Sequence, residues 1–302
     1  MFLLVVSESV PVFLKKASKM TTGLQRHSCR RRGALMLSCT ILAGLGAEQA
    51  RAAVVPEPSE IFEPLTMPEP VNAYRSGDGT PGPMAWTNRA DYKMDLRIDP
   101  WSHVLSGSEV VTYHNNSPSA LPVLWMQLEQ NVYREDSRAA FAASRRFKDH
   151  TDGMTIERVA VLDEKGHETD IKPLISDTRM QLTLPTSLQK GETVRFRVVW
   201  HYTVPGPWGG RTAVSATKNG EIYEIAQFYP RMAVFDDVRG WDTLPYLGDE
   251  FYLDYGNFDY TLTVPENFIA VGSGALLNPK DVLSAEEQKR LAAAGKSSER
   301  VL

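Results

Sequence analysis

The chain has 302 residues, 42% of them hydrophobic and 23% charged, with a formal net charge of −4, which places it in the globular range with room for one large or two small domains. The charge is uneven. Residues 1–52 carry eight Lys/Arg against two Asp/Glu, and 25 Lys/Arg against 35 Asp/Glu remain beyond them, a balance near −10. An acidic body excludes a nucleic-acid partner, because phosphate binding is driven by basic patches that release counterions. Both cysteines, Cys29 and Cys39, fall in the basic segment, so a processed chain has neither disulfide nor thiolate chemistry.

Residues 1–52 read as a signal peptide. Arg30-Arg31-Arg32 precede an apolar run from Gly33 to Gly46, and the small residues Ala50, Ala52 and Ala53 follow, which is the order of a secretory signal with cleavage near Ala52 or Ala53. The run is too short to span a bilayer, so no stable membrane span is expected after cleavage. A periplasmic or secreted location is. Arg31-Arg32-Gly33-Ala34-Leu35 loosely resembles a twin-arginine export signal, although Ala34 stands where a bulky apolar residue is preferred. Met20 opens a segment of ordinary signal length, which makes it an alternative start to Met1.

Residues 53–85 follow as a linker or a strap laid over a surface, since seven prolines recur there among acidic residues. From about residue 86 to 302 the texture is that of an all-β domain, incomplete at its C-terminal end. Tyr92 to Ile98 alternates apolar and polar residues, and comparable runs cover Val104 to His114, broken by Gly107, then Leu121 to Leu128, Thr155 to Leu162, Met180 to Leu184 and Arg195 to Val204. Turn residues such as Asn115-Asn116-Ser117-Pro118 and Lys165-Gly166 separate them. Short strands at this spacing predict stacked antiparallel sheets with minor helices. Glu135 to Lys148 is either a surface helix or a loop. Ser284-Ala285-Glu286-Glu287 is a capping box with Gly295 beyond it, predicting a helix from Ala285 to Ala294. Lys296 to Leu302 reads as the approach to a further strand.

No metallohydrolase helix is present: the six histidines are scattered, and His167-Glu168 begins a His-Glu-x-x-His pattern only for Ile171 to stand at the second ligand position. His167 is expected in a turn. Gly272-Ser273-Gly274 lacks the frame of a nucleophile elbow and reads as a glycine bend. Gly206-Pro207-Trp208-Gly209-Gly210 is a loop without a phosphate-binding lysine. The carboxylates Asp236-Asp237, Asp249-Glu250 and Asp254 are crowded enough to raise one another's pKa, or are simply solvated turns. No catalytic residue and no metal ligand is assigned.

The segment Ile225-Ala226-Gln227-Phe228-Tyr229-Pro230-Arg231-Met232 resembles the junction strand of bacterial members of the alanyl aminopeptidase (aminopeptidase N) family of zinc metallopeptidases. Tyr92-x-x-x-Leu96-x-x-Asp99 with Leu105-Ser106-Gly107, Trp125-Met126-Gln127-Leu128, Leu188-x-x-Gly191-Glu192, Phe251-Tyr252-Leu253-x-Tyr255-Gly256-x-Phe258 and Ala270-Val271-Gly272-Ser273-Gly274 extend the likeness over about residues 86 to 302. The resemblance implies a saddle-shaped, mostly antiparallel N-terminal domain, inert alone, that lines a peptide cleft when joined to a catalytic domain. It implies zinc in that missing domain and none in this chain. It also implies a Gln-x-Glu or Gln-x-Gln motif that binds the free amino group of a peptide; Gln227 matches its first position, and Tyr229 stands at the second, where the charge of a carboxylate is absent. The competing expectation is a free-standing β-sandwich binding module, with Trp208, Trp241, Tyr246 and Tyr252 as an aromatic platform for a sugar or peptide.

Overall fold

A computed structural model describes residues 2–7, 72–142, 149–207, 211–248 and 250–301. The predicted export signal and most of the Pro-rich segment therefore lie outside the described residues, apart from Phe2–Ser7 and residues 72–85. Among the described residues no helix is long and apolar enough to cross a membrane.

The architecture is mostly β, as the alternating runs predict. Strands β1 to β16 are, in chain order, Phe2–Ser7, Arg89–Asp99, Val104–His114, Leu121–Gln127, Thr155–Leu162, Glu168–Asp170, Leu174–Ser176, Arg179–Leu188, Thr193–Thr203, Ala213–Thr217, Gly220–Ala226, Arg231–Met232, Phe235–Asp236, Gly240–Trp241, Phe258–Thr263 and Phe268–Gly272. A six-stranded sheet has the order β15-β2-β3-β9-β5-β6, a second sheet β12-β4-β8-β7, and a third β10-β11-β1-β16. Every pairing among the described strands is antiparallel except β15 with β2, which is parallel.

The long strands β2, β3 and β9 pair over their full length, Arg89 opposite His114 and Val104 opposite Thr203. Their inward residues, Met94 and Leu96, Leu105 and Val111, Phe196 and Trp200, meet Leu124, Met126, Met180 and Leu182 of the second sheet and Tyr223 and Ile225 of the third in one core. Apolar burial of this kind contributes roughly 25 cal/mol per Å² and is what holds the sheets together.

One sequence expectation needs correction. Gly107 does not break its strand. β3 runs straight through it, because the indole of Trp200 on β9 lies across this position, where a Cβ would come within 2.4 Å of the ring. Between Glu135 and Lys148 the described helix is confined to Arg138–Phe141, capped by the Ser137 hydroxyl that accepts from the Ala140 amide; residues 143–148 lie outside the description. Residues 296–301 form no strand. The helix Ala285–Ala294 has the predicted bounds and both bonds of its capping box, Glu287 N–H to Ser284 Oγ at 3.3 Å and Ser284 N–H to Glu287 Oε2 at 2.7 Å.

Residues 72–85 fold back on themselves through a bridge between Arg75 and Pro81, and the Arg75 guanidinium pairs with Asp237. The pairing holds the Asp237 carboxyl below the usual range, through its hydrogen bond to Arg75 first.

Candidate functional site: the junction after strand eleven

β11 ends at Ala226, and two short steps later β12 joins the second sheet, Arg231 opposite Gln127 and Met232 opposite Met126. The chain changes sheets across residues 227–230. It does so through Gln227, whose φ of +48° is left-handed, a conformation that costs a non-glycine residue about 1–3 kcal/mol and persists only where the surroundings over-determine it. The surroundings here are specific. The Gln130 side-chain amide donates to the carbonyls of Ala226 (3.2 Å) and Gln227 (2.8 Å), while the Thr212 hydroxyl donates to the Ala226 carbonyl at 2.6 Å and accepts from its amide at 3.2 Å. The Gln227 side chain is half-buried, and its amide takes no partner among the described residues.

Tyr229, the second predicted residue, is brought close in the chain but not to the surface. It is 5% exposed and stands edge-on to Tyr92 and Phe228, each at 5.2 Å between ring centroids, and to Phe258 at 5.9 Å. Burial, then the carboxyls of Glu109 and Glu129, push its phenol above the ordinary value against an opposing effect of Arg231. The Tyr92 hydroxyl behind it accepts from the Met232 amide at 2.9 Å.

Two acidic residues that sequence reading passed over surround this ring. Glu129, in the 3-10 turn Glu129–Tyr133 directly after β4, is 2% exposed; one oxygen accepts from Arg231 Nε, and Oε2 has no partner. Arg231 in turn donates to the Tyr252 carbonyl at 3.1 Å and lies 5.7 Å from the Phe251 ring centroid. Glu129 thus lies 100 positions before Tyr229 in the chain, and its carboxylate is paired with Arg231. Its sequence signal is a polar run, Glu129-Gln130-Asn131, following an apolar strand. The second residue, Glu109, is wholly buried on β3, neither of its oxygens has a hydrogen-bond partner among the described residues, and desolvation raises its carboxyl well above the ordinary glutamate range. Its signal was legible: it occupies an inward position of an alternating strand, where the pattern calls for an apolar residue.

The other sequence candidates lie elsewhere. His167 is exposed in its turn, 2.9 Å from Asp163. Asp236 accepts from the amides of Val238 and Arg239 and from the Tyr252 hydroxyl at 3.0 Å, as a turn residue does. Asp254 is raised to about 6 by burial first and by Asp236 second; Asp249 lies outside the described residues. Of the aromatic platform, Trp241 packs on Phe235 and Tyr113, Tyr246 stacks on Phe251, Tyr252 is exposed, and Trp208 lies outside the described residues. A concavity of about 510 Å³ on the outer face of the six-stranded sheet is lined by Asp91, Lys93, Thr112, Arg195, Arg197 and Asp259 among others; Arg197 there pairs with Glu168 and Asp91 accepts from the Asn257 amide. Among the described residues no three His, Cys, Asp or Glu side chains converge as metal ligands.

No family model matches the chain, and no curated protein does. Among solved structures, an M1 zinc metallopeptidase from Deinococcus radiodurans overlays 39% of this chain on 21% of its own, at 17% identity and a TM-score of 0.27. A mutant M1 zinc metallopeptidase from Deinococcus radiodurans bound to a Tyr-Ser-Ala substrate overlays 60% of this chain on 32% of its own, at 16% identity and a TM-score of 0.30. This chain therefore aligns with a third or less of either structure, and what it does is argued from its own residues.

Proposed function

We propose that the chain is the N-terminal, non-catalytic domain of an exported zinc metallo-aminopeptidase-like protein and forms part of the wall of its peptide cleft. The observation that carries this reading is Gln227, the motif residue, held at φ +48° by Gln130 with its side-chain amide uncommitted. An ammonium seeks an amide or carboxylate oxygen, and a side chain on a clamped backbone offers one without the cost of ordering the main chain as well. Tyr229 supplies packing at the second motif position, and the buried Glu129–Arg231 ion pair lies beside it. The catalytic domain, with its zinc, is the intramolecular partner, and the apolar side chains exposed between Tyr252 and Leu291 are the surface it would cover. Peptides are the ligands and the periplasm or exterior the location.

The test is hydrolysis of amino-acyl anilides with added zinc, by this chain and by the longer read-through product of the same locus. Activity is expected in the longer product alone, and there Gln227→Ala is expected to raise KM about tenfold while leaving kcat within a factor of about three. Hydrolysis by the 302-residue chain, or a KM untouched by Gln227→Ala, would overturn the reading.

A further inference from the structure

The third sheet contains a strand from the far end of the sequence. β1 lies between β11 and β16 and is antiparallel to both, Val5 opposite Tyr223 on one side and opposite Ala270 on the other. Take β1 away and the sheet has two facing rows of unpaired amides and carbonyls, a template for any extended chain. One wall of that slot, β11, is the strand that runs into Gln227. Direction matters as well: Phe2 is opposite Ala226 and Val6 opposite Ile222, so the amino end of the inserted strand lies at the end of β11 where Gln227 follows.

We propose that the slot between β11 and β16 is a binding groove for an extended apolar peptide with a free amino terminus, and that Phe2–Ser7 fills it in cis. Main-chain hydrogen bonds to both walls supply affinity with little regard to sequence, as in other cases of strand addition. The walls suit apolar side chains: Tyr223 and Ile225 of β11 are buried, and Ile269 and Val271 of β16 are exposed apolar residues. The occupying segment, Phe-Leu-Leu-Val-Val-Ser, has no charge, no proline and no glycine, the composition that favours strand pairing. Cleavage near Ala52 or Ala53 removes this segment and leaves the groove open in the exported chain. The groove rests on strand pairing alone, whereas the orientation of its occupant toward Gln227 rests on the proposed amine-binding role.

Two experiments on the full chain test this. In the first, fluorescence anisotropy follows a Phe-Leu-Leu-Val-Val-Ser peptide labelled at its carboxyl end. The Val5→Pro variant, which loses a central amide of β1, is expected to bind it at least about tenfold more tightly than the wild-type chain. Equal binding by both, or dimerisation of the variant in place of peptide capture, overturns the groove. In the second, Leu4→Cys and Val271→Cys, opposite each other in the ladder, are combined with Cys29→Ser and Cys39→Ser. A cross-link is expected to form under mild oxidation and to fall at least about fivefold in yield with excess peptide. No cross-link, or a yield indifferent to peptide, overturns the proposal without recourse to a proline variant. The N-acetylated peptide separates the two readings: weaker binding by about fivefold or more supports the amine at Gln227, while undiminished binding keeps the groove and removes the amine-binding role.

Discussion

The two halves of the β-rich body are built from the same local ingredients and end in different states. Between β2 and β12 alternation places Leu105, Tyr113, Phe196, Trp200 and Tyr223 at zero exposure. From Glu250 to Val301, no described residue is buried, although Phe258, Tyr260 and Leu262 alternate as regularly and Ser284 caps its helix as well as any N-cap in the molecule. Local periodicity and capping therefore suffice to specify an element, and only a facing layer makes it part of a core. Tyr255 and Leu277 are 90% and 85% exposed, whereas Tyr260 and Leu262 are partly buried against the core.

Substitutions in each region test this contrast. The largest effect belongs to the first half: Trp200→Ala is expected to cost about 3–5 kcal/mol in denaturant unfolding, through lost burial and the cavity left beside Gly107. A stable Trp200→Ala chain would mean that the two halves are equally loose. Glu109→Leu is expected to stabilise by about 1–3 kcal/mol at pH 7, because it removes a buried carboxyl with no partner. The sign follows from its raised folded-state pKa. Below about pH 4 the group is protonated in both states and the gain is smallest; as pH rises through the ordinary glutamate value the unfolded state ionises first, wild-type stability falls, and the gain grows. Asp254→Asn, at the border between the halves, is expected to stabilise by about 1 kcal/mol at pH 7.5, after allowing for its partial exposure. That gain should fade as pH falls from about 6 toward 4, since the raised carboxyl disfavours folding only where the unfolded state is ionised. Leu277→Ser is expected to change stability by less than about 0.5 kcal/mol while reducing light scattering on concentration; a larger loss would reveal packing there.

What was legible in the sequence is what depends on neighbours in the chain. β3 runs from Val104 to His114 and the helix from Ala285 to Ala294, as alternation and the capping box indicate. The resemblance singles out Gln227, but neither the strain at its φ nor the Gln130 clamp that sustains it is legible in the sequence, because the clamp joins residues 97 apart. Tyr229 illustrates the same limit: alternation does not distinguish a ring that faces a cleft from one that faces Tyr92. Gly107 read as a break because nothing local announces an indole from β9.

The parallel pairing of β15 with β2 has a consequence for the order of assembly. The Asn257 amide donates to Asp91 across 166 positions, and at Gly256 the two backbones approach so closely that a Cβ would lie 1.7 Å from the Ala90 carbonyl oxygen. A contact that closes so long a loop is entropically late. On the ribosome, the strands from β2 to β12 are synthesised and can collapse before Phe258 emerges, so β15 docks onto a finished sheet edge rather than helping to nucleate it. An alanine at Gly256 should accordingly leave the rate of the main folding phase unchanged and slow or abolish only a final step.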